Sequence, residues 1–346
     1  MKNVKSWVAI ILVVVLFAVV YSEDSADDGQ TRQTAHTASA RVAVSGESFG
    51  IKMYTAGVLV VGLAPVQTKL GEVNPAADAG VKIGDVIKSI DSNAVNTSQQ
   101  VSNAFENFDG KKIRLKLERG DRTINVSVTP VKSVVTGTYK VGLWVRDSTA
   151  GIGTITYYDT SGNFAALGHG INDVDTNTLM PLGNGEALRS KIIGLTKSEK
   201  GVAGELYGVL EENVLGKIKL NCENGLYGTV DKPDAKMSFI EVARTEEVSV
   251  GKAQIATTVD SSGVRYYDIE ILRVNKYSKG TKDMVVKITD ERLIEKTGGI
   301  VQGMSGSPIV QNGKFVGALT HVFVNKPDKG YAVLAKNMLK YTNSLK

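Results

Sequence analysis

A serine near the end of the chain lies in a glycine-rich turn. Residues 303–308 read Gly-Met-Ser-Gly-Ser-Pro. Because glycine tolerates backbone angles that other residues resist, this turn can fold tightly around the Ser305 hydroxyl. The amides of Gly303 and Ser305 can then point together at an oxyanion that develops during acyl transfer. The pattern predicts Ser305 as a nucleophile, and the alternative is a glycine- and serine-rich turn without catalysis.

A serine nucleophile needs a base, and the chain contains three histidines. His36 lies in a polar segment that is typical of a linker. His321 follows Ser305 by sixteen residues in an apolar stretch, where a substrate contact and a structural role are both open. His169 lies in Gly-His-Gly, which interrupts an apolar strand and suits an imidazole at the rim of a sheet. We therefore expect His169 to be the general base.

The residue that orients the imidazole is harder to identify, because spacing alone does not select it. A buried carboxylate usually has this role. The candidates between the histidine and the serine are Asp173, Asp175, Asp260, Asp268 and Asp290.

The segment after the serine turn predicts two strands joined by a tight hairpin. Residues 309–310 and 315–321 are apolar, and Gln-Asn-Gly-Lys at 311–314 connects them. This order resembles the chymotrypsin-like serine proteases, which implies that the second strand, with His321, lines the substrate cleft. Met304 stands where trypsin-like enzymes carry an aspartate, so activation through that ion pair is not available.

Residues 46–132 have the pattern of a separate, smaller module. Asn74 and Pro75 begin a helix, and a second helix begins at Thr97, where Gln100 completes a capping box. Alternating apolar residues predict strands between residues 113 and 128. The order of elements and the string Pro-Ala-Ala-x-Ala-Gly resemble a PDZ domain, a small β-barrel with two helices.

A PDZ domain binds a peptide as an extra strand and holds its terminal carboxylate on backbone amides. The resemblance implies that Ser48, Phe49, Gly50 and Ile51 form the loop whose amides hold the peptide carboxylate. The alternative is that Phe49 and Ile51 only seal the small core. The ligand would be the C-terminus or an internal segment of another protein, or a segment of this protein itself.

Longer motifs resemble the SpoIVB peptidases of endospore-forming bacteria. They are residues 168–176 (Gly-His-Gly-Ile-Asn-Asp-Val-Asp-Thr), 296–308 and 320–325 (Thr-His-Val-Phe-Val-Asn). The resemblance extends over nearly the whole chain and implies that His169 and Ser305 are the catalytic pair. It places the family's aspartate at Asp290. Asp175 remains a rival, because chymotrypsin takes its acid from the first barrel.

The N-terminus has the charge pattern of a signal anchor. Lys2 and Lys5 precede an uncharged apolar run over residues 7–21, and acidic residues follow. Basic residues before the run and acidic residues after it predict that the bulk of the chain is extracytoplasmic. We expect an anchor at residues 1–22, with a cleaved signal as the alternative, and a linker at 23–45.

Composition supports folded, mainly β domains after the anchor. Hydrophobic residues make up 42% of the 346 residues. The net charge of +5 is scattered and only 6% of residues are aromatic, so the sequence gives no support for nucleic-acid binding. Cys222 is the single cysteine, which excludes an internal disulfide or a cysteine-based metal site, and no cofactor is expected. Residues 133–346 are predicted to form a chymotrypsin-like two-barrel peptidase domain.

The SpoIVB resemblance also implies a biological role. A protease of this kind cleaves itself and a membrane-bound regulator of an intramembrane protease during sporulation, which leads to maturation of a sigma factor. It would act in the intermembrane space of the developing spore. Two other functions stay open: a catalytically silent PDZ scaffold that binds membrane-protein tails, and an HtrA-like quality-control protease.

Overall fold

The structure, a computed structural model, describes residues 40–106, 111–230 and 237–345. These residues belong to one unit, Ser39–Lys346. The predicted anchor and most of the predicted linker lie outside the described residues. Within the described ranges, no helix is both long enough and apolar enough to span a bilayer.

The described chain is mainly β-structure. Its first strands are β1 (Arg41–Val44), β2 (Ser48–Leu63), β3 (Val66–Thr68), β4 (Gly71–Val73), β5 (Val86–Ile90), β6 (Asn93–Ala94), β7 (Ile113–Arg119), β8 (Arg122–Val128), β9 (Val131–Lys132) and β10 (Tyr139–Lys140). The following strands are β11 (Leu143–Tyr158), β12 (Asn163–Ala166), β13 (Leu182–Thr196), β14 (Glu205–Cys222), β15 (Gly225–Val230) and β16 (Ile240–Glu241). The last strands are β17 (Gly251–Thr258), β18 (Val264–Val274), β19 (Met284–Ile288), β20 (Pro308–Gln311), β21 (Lys314–Val322) and β22 (Lys329–Leu334). The helices are α1 (Pro75–Asp78), α2 (Ser98–Glu106), α3 (Glu291–Thr297) and α4 (Ala335–Asn343), with a 3₁₀ turn at Thr245–Glu247.

Two barrels of antiparallel strands form the C-terminal part of the molecule. In the first barrel the strands follow the order β11-β12-β15-β14-β13-β2, and pairing between β2 and β11 closes the ring. The second barrel is closed in the order β17-β18-β19-β22-β21-β20. Its β20–β21 connection is the predicted Asn-Gly hairpin, with positive φ at both Asn312 and Gly313. The predicted two-barrel architecture is therefore what the described chain adopts.

The smaller module has the predicted helices and strands. The Asn74 side chain accepts a hydrogen bond from the Ala77 amide, and Pro75 is the first residue of α1. At α2 the capping box is reciprocal, because the Gln100 amide donates to Thr97 Oγ1 and the Thr97 amide donates to Gln100 Oε1. Strands β2, β5, β7 and β8 pair in that order and enclose a core with α2.

Strand β2 belongs to both the smaller module and the first barrel, which differs from the predicted domain boundary. Its first half, from Ser48 to Tyr54, pairs with β11 along one edge and with β13 along the other. Its second half pairs with β11 and β5. The change of partner occurs around Gly57, where φ is +106°. The peptidase barrel therefore begins well before residue 133, and residues 41–44 also form a strand on it.

The same pairing corrects the predicted peptide-binding loop. Ser48, Phe49, Gly50 and Ile51 form a strand whose two edges are both hydrogen-bonded, so their amides are not presented to a peptide carboxylate. Phe49 and Ile51 are buried in the core of the first barrel. These side chains therefore fill the core of the first barrel, whereas the alternative expectation placed them in the small core of the PDZ domain.

Candidate active site

A cleft between the two barrels contains the predicted nucleophile and base. The cleft has a volume of about 770 Å³, and both Ser305 and His169 line it. Residues 149–152 of β11 form one wall, and Thr320, His321 and Val322 of β21 form another. The structure thus brings together two residues that lie 136 positions apart in the sequence, and their catalytic roles stay a prediction.

The turn around Ser305 depends on glycine and on a threonine from the first barrel. Gly306 has a φ of +96°, and a Cβ atom there would lie 2.2 Å from the Thr154 carbonyl oxygen. Thr154 Oγ1 donates to the Gly303 carbonyl at 2.8 Å, and its amide donates to the Ser305 carbonyl at 3.2 Å. A single residue of β11 therefore holds the turn on both sides of Met304, whose side chain is fully buried.

Two backbone amides at this turn are without a protein acceptor, and their predicted role as an oxyanion hole stays a prediction. Within the described chain, the amides of Gly303 and Ser305 donate to no protein acceptor, whereas the Met304 amide between them donates to the Val301 carbonyl. A pair of unbonded amides on the two sides of a bonded one can both point at a developing negative charge.

The hairpin formed by β13 and β14 supports the segment that leads into the turn. Ser198 Oγ donates to the Ile300 carbonyl at 2.6 Å and accepts from the Gly204 amide at 2.8 Å. The Gln302 amide donates to the Gly204 carbonyl, and the Leu206 amide donates to the Gln302 carbonyl. The tip of this hairpin therefore fixes the backbone that precedes Gly303.

His169 is held at the end of β12 by close backbone packing. Leu167 has a φ of +67°, a left-handed conformation that is unusual for a branched residue and is often found near functional sites. Gly170 donates from its amide to the Glu223 carbonyl at 3.1 Å, and a Cβ on Gly170 would lie 2.6 Å from the Cys222 carbonyl oxygen. The segment that carries the His169 imidazole is thus packed against the β14–β15 turn.

The protonation state of His169 follows from its surroundings. Its Nδ1 lies 2.8 Å from the Gly170 carbonyl oxygen, which can only accept a hydrogen bond, so Nδ1 carries the proton. Nε2 is then the unprotonated nitrogen that can act as a base. Burial lowers the pKa of His169, and the Gly170 carbonyl acts in the opposite direction. The ring is therefore neutral at neutral pH, as a general base must be.

Ser305 does not donate to the base in this conformation. Its Oγ donates to the main-chain carbonyl of Thr320 at 2.7 Å. For attack on a carbonyl carbon, the hydroxyl must exchange this acceptor for Nε2 of His169. Catalytic hydrogen bonds of this kind commonly form only in the substrate complex.

In this conformation Asp290 has other hydrogen-bond partners than His169, and its predicted role as the catalytic acid stays a prediction. Asp290 is the N-cap of α3 and accepts hydrogen bonds from the amides of Arg292 and Asp268. The Arg292 guanidinium contacts both of its carboxylate oxygens and lowers the pKa of Asp290 to about 2. Asp290 therefore anchors the start of a helix in the second barrel and is absent from the lining of the cleft.

The rival aspartates also have other partners. Asp175 and Asp173 both pair with Arg146 of β11. Asp260 pairs with Lys296, and Asp268 accepts a hydrogen bond from Gln254. In the described part of the chain, no carboxylate is hydrogen-bonded to His169.

Three residues of the site were not singled out from the sequence. Thr154 and Ser198 support the serine turn, and Glu223 is the carboxylate among the described residues that line the cleft. Serine and threonine in β-rich segments carry no distinctive signal.

Comparison with known protein families gives two matches to this chain. The sequence profile described as SpoIVB peptidase S55 matches residues 137–339, which is more than half of the chain and includes both His169 and Ser305. This chain belongs to the SpoIVB peptidase S55 family. A PDZ domain profile matches residues 49–129, so the smaller module is a PDZ domain.

Two individual proteins are similar to parts of this chain. A Clostridium perfringens protein that is named as a zinc metalloprotease is 27% identical to this chain over 128 residues. These residues are 35% of this chain and 38% of that protein. Serine protease HTRA1 of Xenopus tropicalis is 43% identical over 56 residues, which are 16% of this chain and 12% of that protein. The chain thus matches well under half of the length of either relative.

Solved structures resemble the chain in the same partial way. The PDZ domain of the SdrC-like protein from Listeria monocytogenes has 25% identity and a TM-score of 0.22, over 26% of this chain and 87% of that one. The HtrA-type protease AlgW with a tripeptide has 12% identity and a TM-score of 0.33, over 57% of this chain and 56% of that one.

Within the described residues, no group of three histidine, cysteine, aspartate or glutamate side chains could hold a metal ion.

The PDZ domain already has a strand beside β2. Residues 143–146 at the start of β11 pair antiparallel with Leu59–Leu63. Leu143 and Val145 pack against the PDZ core, which includes Val101 and Phe105 of α2. Since PDZ domains take peptides as an added strand on a sheet edge, a segment of the protein itself occupies that edge.

Proposed function

We propose that this protein is a membrane-tethered serine endopeptidase that cleaves itself and a membrane-bound regulatory protein in a sporulation pathway leading to sigma-factor maturation. The observation that carries the proposal of peptidase activity is the shared cleft of Ser305 and His169, beside two unbonded amides. Membership of a peptidase family supports the same activity. The pathway, the membrane tether and the extracytoplasmic location are supported by the sequence resemblance and by the charge pattern of the N-terminus.

The geometry suggests an ordinary acyl-transfer mechanism. A substrate peptide lies in the cleft with its carbonyl oxygen between the amides of Gly303 and Ser305. Ser305 Oγ attacks the carbonyl carbon while His169 Nε2 takes the hydroxyl proton, and the same proton passes to the leaving amine. Water then hydrolyses the acyl-enzyme with His169 as the base again. Each amide of an oxyanion hole contributes about 2.7–4 kcal/mol to transition-state stabilisation.

The competing functions are less well supported. A PDZ scaffold for membrane-protein tails needs a free edge on β2, but β11 covers that edge. An HtrA-like quality-control protease usually carries its PDZ domain after the catalytic residues. In this chain the PDZ domain precedes His169 and shares two strands with the first barrel.

The proposal is tested with the full-length protein in detergent micelles. We expect the parent to cleave itself and to react with a fluorophosphonate probe, with the label on Ser305 by mass spectrometry. Ser305→Ala and His169→Ala should abolish both reactions. Ser262→Ala, a matched control at an exposed serine of the β17–β18 turn, should behave as the parent. If the parent and the Ser305→Ala variant behave alike, the protein is not a serine peptidase.

A further inference from the structure

Strand β21 has an edge that is open to the cleft beside Ser305. Its ladder with β20 ends at Ala318. Beyond that point the Thr320 carbonyl accepts the Ser305 hydroxyl, and the Phe323 amide donates to the first residue of β22 on the opposite edge. Because the backbone groups of successive strand residues point to opposite edges, the amide and carbonyl of Val322 face the cleft. An extended peptide can therefore pair with β21 along this edge.

This edge determines the register of a substrate peptide in the cleft. In the proposed mechanism the scissile carbonyl oxygen lies between the two unbonded amides of the serine turn. The amide of the same substrate residue can then donate to the Thr320 carbonyl. In an antiparallel pairing, the third residue before the scissile bond exchanges hydrogen bonds with Val322. The second and fourth residues before the bond therefore lie opposite His321 and Phe323.

The rings of His321, Phe323 and Tyr331 form an aromatic surface on one face of this sheet. Tyr331 of β22 is the cross-strand partner of His321, and directly paired residues point to the same face. The Phe323 and Tyr331 ring centroids are 4.6 Å apart, and the His321 ring lies 4.8 Å from that of His169. All of these side chains are partly exposed. The second and fourth substrate residues therefore place their side chains over the aromatic surface, next to the predicted base.

A lysine ammonium lies over the aromatic surface without a carboxylate partner. Lys282 is exposed and lines the cleft, and its Nζ is 5.2 Å from the centroid of the Tyr331 ring. In the described part of the chain, this ammonium forms no ion pair and no hydrogen bond. Among the described residues that line the cleft, Glu223 is the other charged one, and no ion pair joins it to Lys282. Burial lowers the pKa of His321 to about 4, and His169 and Lys282 act in the same direction, so that ring adds no second cation.

The backbone on both sides of Lys282 is held in place. Thr320 Oγ1 donates to the Thr281 carbonyl at 2.9 Å. The buried Asp283 carboxylate accepts from a backbone amide at the end of β22 at 2.8 Å and from a side-chain amide of α4 at 2.7 Å. Lys282 therefore extends from a fixed backbone at the wall of the cleft, which reduces the conformational freedom lost when its ammonium binds a substrate group.

We propose that Lys282 selects protein substrates with an aspartate or glutamate at the second or fourth residue before the scissile bond. The substrate carboxylate lies over the aromatic surface and pairs with the ammonium, which has no such partner in the free protein. The inference rests on the serine peptidase function proposed above and names the substrate class of the same cleft. Because an ion pair at a partly exposed site contributes modestly, we expect about a threefold to tenfold higher kcat/KM for glutamate than for glutamine at that position.

The test measures the cleavage preference of the full-length protein in detergent micelles. A peptide library of mixed sequence is digested, and mass spectrometry gives the residue frequencies at each position before the cleaved bonds. We expect aspartate and glutamate to be enriched at the second or fourth position. Matched peptides with glutamate or lysine at that position then give a ratio of kcat/KM values for each protein. A general loss of activity leaves this ratio unchanged, because both values come from the same protein.

Charge reversal at Lys282 separates recognition from other effects. Lys282→Glu replaces attraction of the substrate carboxylate with repulsion, so the glutamate-to-lysine ratio should fall by at least about tenfold. Lys279→Glu makes the same charge change at an exposed position of the same loop that does not line the cleft. We expect this matched control to keep the ratio of the parent.

Several outcomes would overturn the proposal. The parent could show no acidic preference, or show it only at the first or third residue before the scissile bond. Equal ratios in the parent and Lys282→Glu would show that the ammonium does not read the substrate. An equal fall in Lys279→Glu would assign the effect to the net charge of the loop. A parent that reacts at Ser305 and cleaves peptides without acidic preference refutes this inference alone, whereas a parent that does neither refutes the proposed function and this inference with it.

Discussion

At the scale of single residues, the serine turn depends on a threonine that carries no sequence signature. Thr154 and Thr156 lie two residues apart on β11, and both are buried. Thr154 Oγ1 donates to the Gly303 carbonyl, whereas Thr156 Oγ1 has no partner. The two positions therefore form a matched pair for testing one hydrogen bond.

Replacing Thr154 with valine should weaken catalysis. The substitution leaves the Gly303 carbonyl without its donor, and a lost buried hydrogen bond costs about 1–3 kcal/mol. We expect a roughly tenfold slower reaction of Ser305 with a fluorophosphonate, because the Gly303 amide is less firmly positioned. Thr156→Val should be neutral or slightly stabilising. Equal labelling rates in the two variants would show that the turn does not need this support.

The predicted role of Asp290 as the catalytic acid can be tested directly. Replacing the carboxylate of a catalytic triad with an amide lowers kcat by about 10⁴-fold. Because Asp290 caps α3 and is not bonded to His169, we expect Asp290→Asn to label within threefold of the parent. Asp290→Ala should lower the free energy of unfolding by about 1 kcal/mol through loss of the cap. A large loss of labelling in a folded Asp290→Asn protein would restore the catalytic role.

The depressed pKa of His321 predicts acid sensitivity. Its folded pKa of about 4 lies below the ordinary value of 6.5, so the unfolded chain binds more protons between these limits. Stability is then lost as the pH falls through the unfolded pKa, by about 2 kcal/mol from pH 7 to pH 5. Urea unfolding at both pH values should show this loss in the parent and a smaller one in His321→Gln. An equal loss in both proteins would assign the effect to other groups.

At the scale of elements, the hairpin of β13 and β14 connects the first barrel to the segment before Gly303. Ser198 bridges the two through its hydroxyl and is buried. We expect Ser198→Ala to slow labelling of Ser305 by threefold to tenfold and to speed amide exchange at residues 300–304. Ser190→Ala, on β13 and with its hydroxyl bonded to Ser48, is the control. Unchanged exchange at residues 300–304 would show that the hairpin tip is not a support.

Local patterns were reliable where neighbouring residues determine the structure. The helix caps at Asn74 and Thr97 and the Asn-Gly hairpin at residues 312–313 are all present, since each depends on contacts within a few residues. The pairing partners of β2 were not predictable in this way. Its alternating apolar residues fit a PDZ strand and a barrel strand equally well, and only long-range pairing with β11 and β13 decides between them.

The candidate site shows the same division between local and long-range information. The glycine-rich settings of Ser305 and His169 are local and were recognised in the sequence. The residue that orients His169 could not be selected in this way, because spacing along the chain does not show which side chains lie near the imidazole. Asp290 lies at the start of α3 with its own arginine, and His321 lies on the wall of the cleft.

At the scale of the whole molecule, the PDZ domain and the first barrel are joined by continuous strands. Strands β2 and β11 each run from the PDZ sheet into the barrel, paired with each other along most of their lengths. The PDZ end of β11 carries Leu143 and Val145, and the barrel end carries Thr154. A structural change at the PDZ end of β11 can therefore be transmitted to the serine turn along β11 and through its hydrogen bonds with β2.

We expect a charge at the PDZ end of β11 to impair catalysis through the paired strands β2 and β11. Leu143→Asp places a carboxylate against the apolar core of the PDZ domain, which is unfavourable without a partner and should release the start of β11 from β2. Fluorophosphonate labelling of Ser305 should fall at least tenfold, and amide exchange should rise both at residues 143–146 and near Thr154. Leu70→Asp adds the same charge at an exposed PDZ position and should leave both measurements unchanged. If exchange rises only at residues 143–146 and labelling is retained, the PDZ domain and the active site are independent despite their shared strands.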